Sequence, residues 1–238
     1  MPTQPYFNKA GERRAGTTYV IGKNLGWNKE VLMNWANREG LAGRSIKESR
    51  TSTAGRAADI GTAAHAMIEG HILGHEPKLF AANELTLLSC DEDREKARLG
   101  FANFLRWYRN SNMIIVGTEV FGVNEEYQTG FCADAIGLEE GADGALDLTL
   151  IDWKSSKGTY SDHFIQVSAY TVFIEHTLAE YLARPVRLTG AHVVRVAKDS
   201  GNFKHAFWSR ECLDLGFKAF SWARALHEIH WTIEGFVK

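Results

Sequence analysis

Between Met113 and Trp153 the chain runs through three segments rich in β-branched and apolar residues: Met113–Val123, Tyr127–Leu138 and Ala145–Trp153. Only short polar or glycine-bearing turns separate them, such as Asn124-Glu125-Glu126 and Glu140-Gly141-Ala142-Asp143-Gly144. Strands joined that closely pair as antiparallel neighbours, because a parallel pairing needs a long crossover. The spacing therefore predicts a three-stranded meander. The flanks carry helical periods instead. Val31, Leu32 and Trp35 share a face within Asn28–Arg38, which Gly40 and Gly43 end. A helix starting near Asp59 buries Ile60, Ala64, Met67, Ile68 and Ile72 and stops at Gly74, and another over Asp91–Asn110 opens on an acidic turn that suits a helix N-terminus. After the meander come a helix over Asp162–Leu182 broken by Pro185, a strand over Leu188–Ala197 that Phe203–Trp208 pairs with, and a helix from Arg210 to about Trp231 capped by Ser209. The order predicts an α+β fold, a mixed central sheet flanked by helices.

At 238 residues, 45% hydrophobic and 24% charged, the chain can bury one sizeable core, which excludes disordered and fibrous classes. Four prolines and no low-complexity stretch leave no linker, so a single domain over 1–238 is expected. The net charge of −2 announces no polyanionic partner, but its distribution is uneven. Residues 1–60 carry ten Lys/Arg against five Asp/Glu, 61–150 six against fifteen, and 151–238 eleven against nine. An acidic middle between basic flanks suits carboxylates gathered for a metal among cations for phosphates, and solvated helix faces give the same count. Cys90, Cys132 and Cys212 form no C-x-x-C pair, and no apolar run reaches the roughly 18 residues of a spanning helix, so no disulfide framework and no membrane are expected. The N-terminus lacks an apolar signal core, and the expected setting is the cytoplasm.

The residues suited to chemistry cluster late in the meander. Asp152 and Lys154 are two apart on a strand and project together while Trp153 points away. A carboxylate beside an ammonium suits metal-assisted phosphodiester hydrolysis, and a salt-bridged surface strand fits the same tripeptide. Asp134 sits among apolar neighbours on the preceding strand, where a charge is costly unless paired, metal-bound or capping a turn. A hairpin would bring it close to Asp152, and a divalent cation would relieve their repulsion. Gly61, His65 and Glu69 are four apart on one helix face. His65 is a candidate third metal ligand with Glu69 beside it, or a packed helical histidine. Gln166 and Tyr170, one helical turn apart, offer an amide and a phenol to a phosphate, a base or Lys154; Tyr170 otherwise joins Phe173 and Ile174 in the core.

Taken in order, Gly61-x-x-x-His65-x-x-x-Glu69, Gly130-x-x-x-Asp134, Asp152-x-Lys154 and Gln166-x-x-x-Tyr170 resemble the PD-(D/E)XK nuclease superfamily, and within it the RecB-like exonucleases of phages and bacteria. The resemblance spans Gly61 to Tyr170 and fits the element order through Ala197. It implies a restriction-endonuclease-like core over 59–208, a helical N-terminal region over 1–58 and a C-terminal helix over 209–238. It implies that His65, Asp134, Asp152 and the backbone carbonyl of Trp153 bind Mg²⁺ or Mn²⁺, that Lys154 assists the attacking water, and that Gln166 and Tyr170 lie beside the site and the DNA. Glu119 matches a glutamate that relatives carry at the start of the first strand, with a structural ion pair as the equal reading; Thr17, Thr18 and Trp35 match the N-terminal region loosely. With three scattered cysteines the chain resembles a member without an iron–sulfur cluster. No G-x-x-x-x-G-K-[ST] motif is present, so unwinding would need a partner.

The function so implied is a metal-dependent deoxyribonuclease, an exonuclease acting on single-stranded DNA or duplex ends in phage or bacterial replication, recombination or repair. It would work in the bacterial host cytoplasm, with a recombination or replication protein as a candidate partner. Arg13, Arg14, Lys23, Arg44, Arg50 and Arg56 are candidates for phosphate contacts and Trp27 or Trp35 for base stacking, although helical spacing favours Trp35 in the core. The alternatives are a noncatalytic DNA-binding or assembly subunit that keeps the nuclease fold, and a hydrolase of another phosphoester.

Overall fold

The computed structural model describes residues 5–27, 29–45, 55–141, 144–156 and 158–237. In chain order its elements are β1 (Tyr6–Phe7), β2 (Arg13–Arg14), α1 (Thr17–Asn24), α2 (Lys29–Leu41), α3 (Gly55–Ile72), α4 (Pro77–Phe80), α5 (Ala82–Thr86), α6 (Asp91–Asn110), β3 (Ile114–Asn124), β4 (Thr129–Glu140), β5 (Leu146–Lys154), α7 (Ser161–Leu182), β6 (Gly190–Val196), β7 (Phe203–Ser209) and α8 (Arg210–Phe236). The fold class is α+β. The chain divides into two compact units, one from Gly26–Arg106 and Val196–Phe203, the other from the chain up to Leu25, Trp107–Arg195 and the chain from Lys204 onward.

The first unit is helical. Ile60, Ala63, Ala66 and Met67 of α3 pack with Ala81, Leu85, Leu88 and Ala97. Asp93, buried in the first turn of α6, receives both Nε and Nη2 of Arg56 at 2.9 Å, so this acidic turn is bound by an ion pair across 37 residues of sequence as well as suited to the helix dipole. Asn103 holds the returning segment by donating to Ala197 O at 2.7 Å and Ser200 O at 2.9 Å. The helix expected around Trp35 forms as α2 but buries no residue: Val31 and Leu32 are exposed and Trp35 is only half-buried. Trp35 is therefore not a core residue.

The second unit holds a sheet in the order β3-β4-β5-β6-β7. The expected meander is present: β3 pairs with β4 and β4 with β5, both antiparallel. From β5 the chain crosses through the 22-residue α7 and returns as β6, parallel to β5 with Asp152 opposite Val193, as a parallel pairing requires. β7 neighbours β6, as the sequence predicts. Phe131, Ala133, Ile136 and Leu150 of the sheet pack with Ile165, Phe173 and Ile174 of α7 and with Phe220 and Ala223 of α8. α7 and α8 approach closely because Gly216 leaves room for Phe164 and Ser168. Ser209 occupies the N-cap position of α8 without the expected side-chain hydrogen bond, and the helix continues past Trp231 to Phe236.

The β1–β2 hairpin, which has no sequence period, is fastened to β4. Gly130 N–H donates to Ala15 O at 2.9 Å, Thr17 Oγ1 donates to Gly130 O at 2.8 Å, and the Tyr6 ring occupies the space where a Gly130 side chain would sit. The first glycine of Gly130-x-x-x-Asp134 thus has a packing reason. Gly130→Ala is expected to displace the Tyr6 ring and lower stability by about 1–3 kcal/mol. In Tyr6→Ala/Gly130→Ala the added cost of the alanine should largely disappear, which a double-mutant cycle of urea midpoints checks.

Candidate active site

The end of β5 enters the core of the second unit carrying two charged side chains on one face. Lys154 Nζ lies 2.7 Å from Asp152 Oδ2, with side chains only 15% and 3% exposed respectively. The Trp153 ring points the other way, as expected, onto Trp107 at a centroid distance of 6.1 Å. An ammonium can only donate, so the Gln166 amide turns its Oε1 to Lys154 Nζ, at 3.0 Å, and keeps its Nε2 for Tyr170 Oη at 2.9 Å and Thr18 Oγ1 at 3.2 Å. Asp152, Lys154, Gln166 and Tyr170 are therefore brought together as one chain of polar contacts. Thr18 completes it from α1, a role its loose sequence match did not specify.

Asp134 joins from β4. The β4–β5 ladder runs to Ala135 opposite Ile151, and one further step places Asp134 opposite Asp152. There the Asp134 carboxylate accepts the Trp153 N–H at 2.7 Å, taking the backbone donor that a continuing ladder would use. The observed hydrogen bond at Trp153 thus involves its amide, while the metal-binding expectation concerned its carbonyl. On the other flank, Thr118 opposite Ala135 and Val120 opposite Ala133 bracket Glu119, which lies at the level of Asp134 with a left-handed φ of 48°. Glu119 sits mid-strand rather than at the strand's start, and it accepts the Cys132 thiol at 3.2 Å. Three carboxylates on three adjacent strands thus stand at one level, held by a thiol, a backbone amide and an ammonium.

Burial dominates the titration of the neighbours. It pushes the Cys132 thiol upward, aided by Glu119, so the thiol stays protonated and a donor. It likewise raises the Tyr170 phenol, with Asp152 adding to the shift, and the Tyr6 phenol, with Tyr170 adding to it. His163, in the first turn of α7, is pushed down to about 4 by burial and by the Lys154 ammonium, and it accepts the Tyr160 N–H at 3.3 Å. Nothing in the sequence singled this histidine out. In the unfolded chain its pKa is near 6.5, so between about pH 6.5 and 4 the unfolded state binds a proton that the native state refuses. Stability then rises with pH across that window. Wild type should lose urea resistance from pH 7 to pH 4 more steeply than His163→Gln; equal slopes would contradict the assignment.

His65 and Glu69 lie on α3 in the first unit, both half-buried beside a buried Gly61. Among the basic candidates, Arg56 is bound to Asp93 and Arg44 to Glu39 at 2.7 Å, Lys23 lies on α1, and Arg50 falls outside the described residues. Arg13 and Arg14 form β2, and Trp27 is exposed.

Among the described residues no group of three or more His, Cys, Asp or Glu side chains is gathered as a metal site made of protein ligands alone would need. Asp134 and Asp152 supply carboxylate oxygens from neighbouring strands. That donor set fits a hard cation of the Mg²⁺ type, which commonly takes one or two carboxylates and completes its shell with water and substrate oxygens. No described helix is long and apolar enough to cross a membrane. Comparison with family models and with curated protein sequences finds no match to this chain.

Proposed function

We propose that the chain is a metal-dependent deoxyribonuclease, an exonuclease with a PD-(D/E)XK core. The carrying observation is the Lys154–Asp152 pair at 2.7 Å with Asp134 one register step away on the adjacent strand. Three antiparallel strands, a crossover helix and a parallel fourth strand support the finer fold assignment. Asp134 and Asp152 would hold Mg²⁺ or Mn²⁺, which when bound supplies Lewis-acid stabilisation of the phosphate charge and a more acidic water.

The chain's own residues do the rest. Lys154 would orient a water beside the scissile phosphate through its ammonium and neutralise charge as it develops. Gln166 is the second acceptor of the Lys154 ammonium beside Asp152 and is itself anchored by Thr18 and Tyr170. Water oxygen bonds to phosphorus as the bond to the leaving sugar oxygen breaks; the attacking water gives its proton to solvent, and the departing oxygen keeps the electron pair and takes a proton from solvent. No covalent enzyme intermediate is involved.

Purified protein incubated with end-labelled linear and closed circular DNA, in EDTA, Mg²⁺ or Mn²⁺, tests this reading. Metal-dependent shortening of linear DNA that spares circles is expected. Cleavage of circles would make the activity endonucleolytic. Salt-dependent binding without cleavage in either metal would overturn the reading in favour of a noncatalytic DNA-binding subunit, and phosphate release from small esters with DNA intact would do so in favour of another phosphoesterase.

A further inference from the structure

We propose that the groove bounded by β2, α1 and α8 is a seat for an unpaired nucleic-acid strand, whose bases stack on Tyr19 and Trp231 and whose phosphates meet Arg13, Arg14 and Arg224. The groove lies wholly within the second unit and has a volume of about 760 Å³, the size of a site for a few small groups.

Its aromatic side is a row. His227 stands edge-on to Tyr19, with centroids 5.8 Å apart and planes at 86°, and edge-on to Trp231 at 6.3 Å and 87°. The outer rings stay accessible: Tyr19 is 54% and Trp231 59% exposed. A base can lie against such a face only when it is free of its own stack, so rings presented this way favour an unpaired strand over a duplex. Burial, with Arg224 adding to it, holds His227 below its ordinary pKa, so the middle of the row stays neutral and the positive charge sits on the arginines.

The polar side suits phosphate. Three guanidinium groups and one carboxylate, Glu228, line the groove. Arg224 is more than nine-tenths buried. Its Nε donates to Tyr127 O at 2.7 Å and Thr129 Oγ1 at 3.1 Å and its Nη2 to Glu228 at 2.9 Å, while its Nη1 is buried with no hydrogen-bond partner among the described residues. Arg14 is paired with Glu12, yet its Nε is likewise buried and unpartnered. Arg14 and Arg224 thus place fixed positive charge in the groove wall, and the exposed Arg13 offers its guanidinium to phosphate oxygens, which are strong, geometry-matched acceptors for it. Two of its lining residues, Thr18 and Tyr170, also bind Gln166, which holds Lys154 of the carboxylate site. The proposal deepens the nuclease reading and takes its biological sense from it, but it concerns binding and can fail or stand separately.

The test is equilibrium binding in EDTA, where no cleavage occurs, of fluorescein-labelled dT15, U15 and a blunt duplex to the whole chain. Wild type should bind the single strands more tightly than the duplex, with the tighter of dT15 and U15 naming the natural strand. Trp231→Ala and Tyr19→Ala should each weaken that binding by about 5- to 150-fold, the loss of one stacked base. Trp231→Phe, which keeps a ring, should stay within about threefold, and Arg13→Gln should reduce the salt slope by about one. Single-strand affinity unchanged in Trp231→Ala, with its thermal unfolding unchanged, would overturn the proposal, and so would a wild type that prefers the duplex. A wild type that binds dT15 through Trp231 but cuts nothing in Mg²⁺ or Mn²⁺ would leave the groove standing and overturn the nuclease reading alone.

Discussion

Lys154→Met should lower metal-dependent DNA cleavage by about 10²–10³-fold, the range for removing one group that stabilises developing charge. The same change strips a nearly buried Asp152 of its ammonium. Removing one partner of a buried pair is costly, and with Lys154 still 15% exposed the low end of the range, about 3 kcal/mol, is expected. The two effects separate in Lys154→Arg. A guanidinium keeps the positive charge beside Asp152 and most of the stability, but its planar fork cannot reproduce the compact point-charge contacts to Gln166 and to the water. Lys154→Arg should therefore melt near wild type and remain strongly impaired in single-turnover cleavage. Full cleavage by Lys154→Met would remove Lys154 from the mechanism.

Glu175→Ala should produce the largest loss of stability, about 3–5 kcal/mol. Glu175 on α7 and Arg210 at the start of α8 form a two-pronged ion pair, with Nε to Oε1 at 2.8 Å and Nη2 to Oε2 at 2.9 Å, and both side chains are at most 10% exposed. Glu175 Oε1 also accepts Leu188 N–H at 2.9 Å, so one carboxylate fastens α7, α8 and the approach to β6. Truncation would leave a buried guanidinium whose remaining carboxylate partner is the half-exposed Asp214. Glu175→Gln keeps the acceptor and should cost less, and Glu175→Ala/Arg210→Met should recover part of the loss because the stranded charge is gone. Urea midpoints of wild type, Glu175→Ala, Arg210→Met and the double variant give the cycle directly. Additive single effects would show that the pair contributes nothing as a pair.

Residues whose structure depends on local period were legible in the sequence, and residues that depend on register or on distant partners were not. The β-branched and apolar runs with short turns through Met113–Trp153 announce β3, β4 and β5, and the apolar spacing of Asp91–Asn110 announces α6, because both rest on the composition of one local segment. The pairing of Asp152 with Lys154 was also local, since two residues apart on a strand must share a face. The partner of Asp134 was not local. That Trp153 N–H reaches its carboxylate follows from where the β4–β5 ladder stops, which no spacing rule encodes. Arg56 reads as a free cation until Asp93 is found beside it. Arg210 and Arg224 carry no sequence signal that sets them apart in the last helix, although both are buried with partners on other elements. The two-residue strands β1 and β2 are too short to carry any period, so the hairpin that brings Tyr6 over Gly130 had no signature.

Single-turnover cleavage of one end-labelled linear DNA by wild type and Asp152→Asn in the same Mg²⁺ or Mn²⁺ buffer decides whether Asp134, Asp152 and Lys154 cut phosphodiester bonds. Asparagine keeps the shape and an acceptor for Lys154 while removing the charge that would hold the cation. The loss of several kcal/mol of transition-state stabilisation should then appear as a rate at least about 10³-fold lower. A folded Asp152→Asn protein that cuts within a few-fold of wild type would contradict the account.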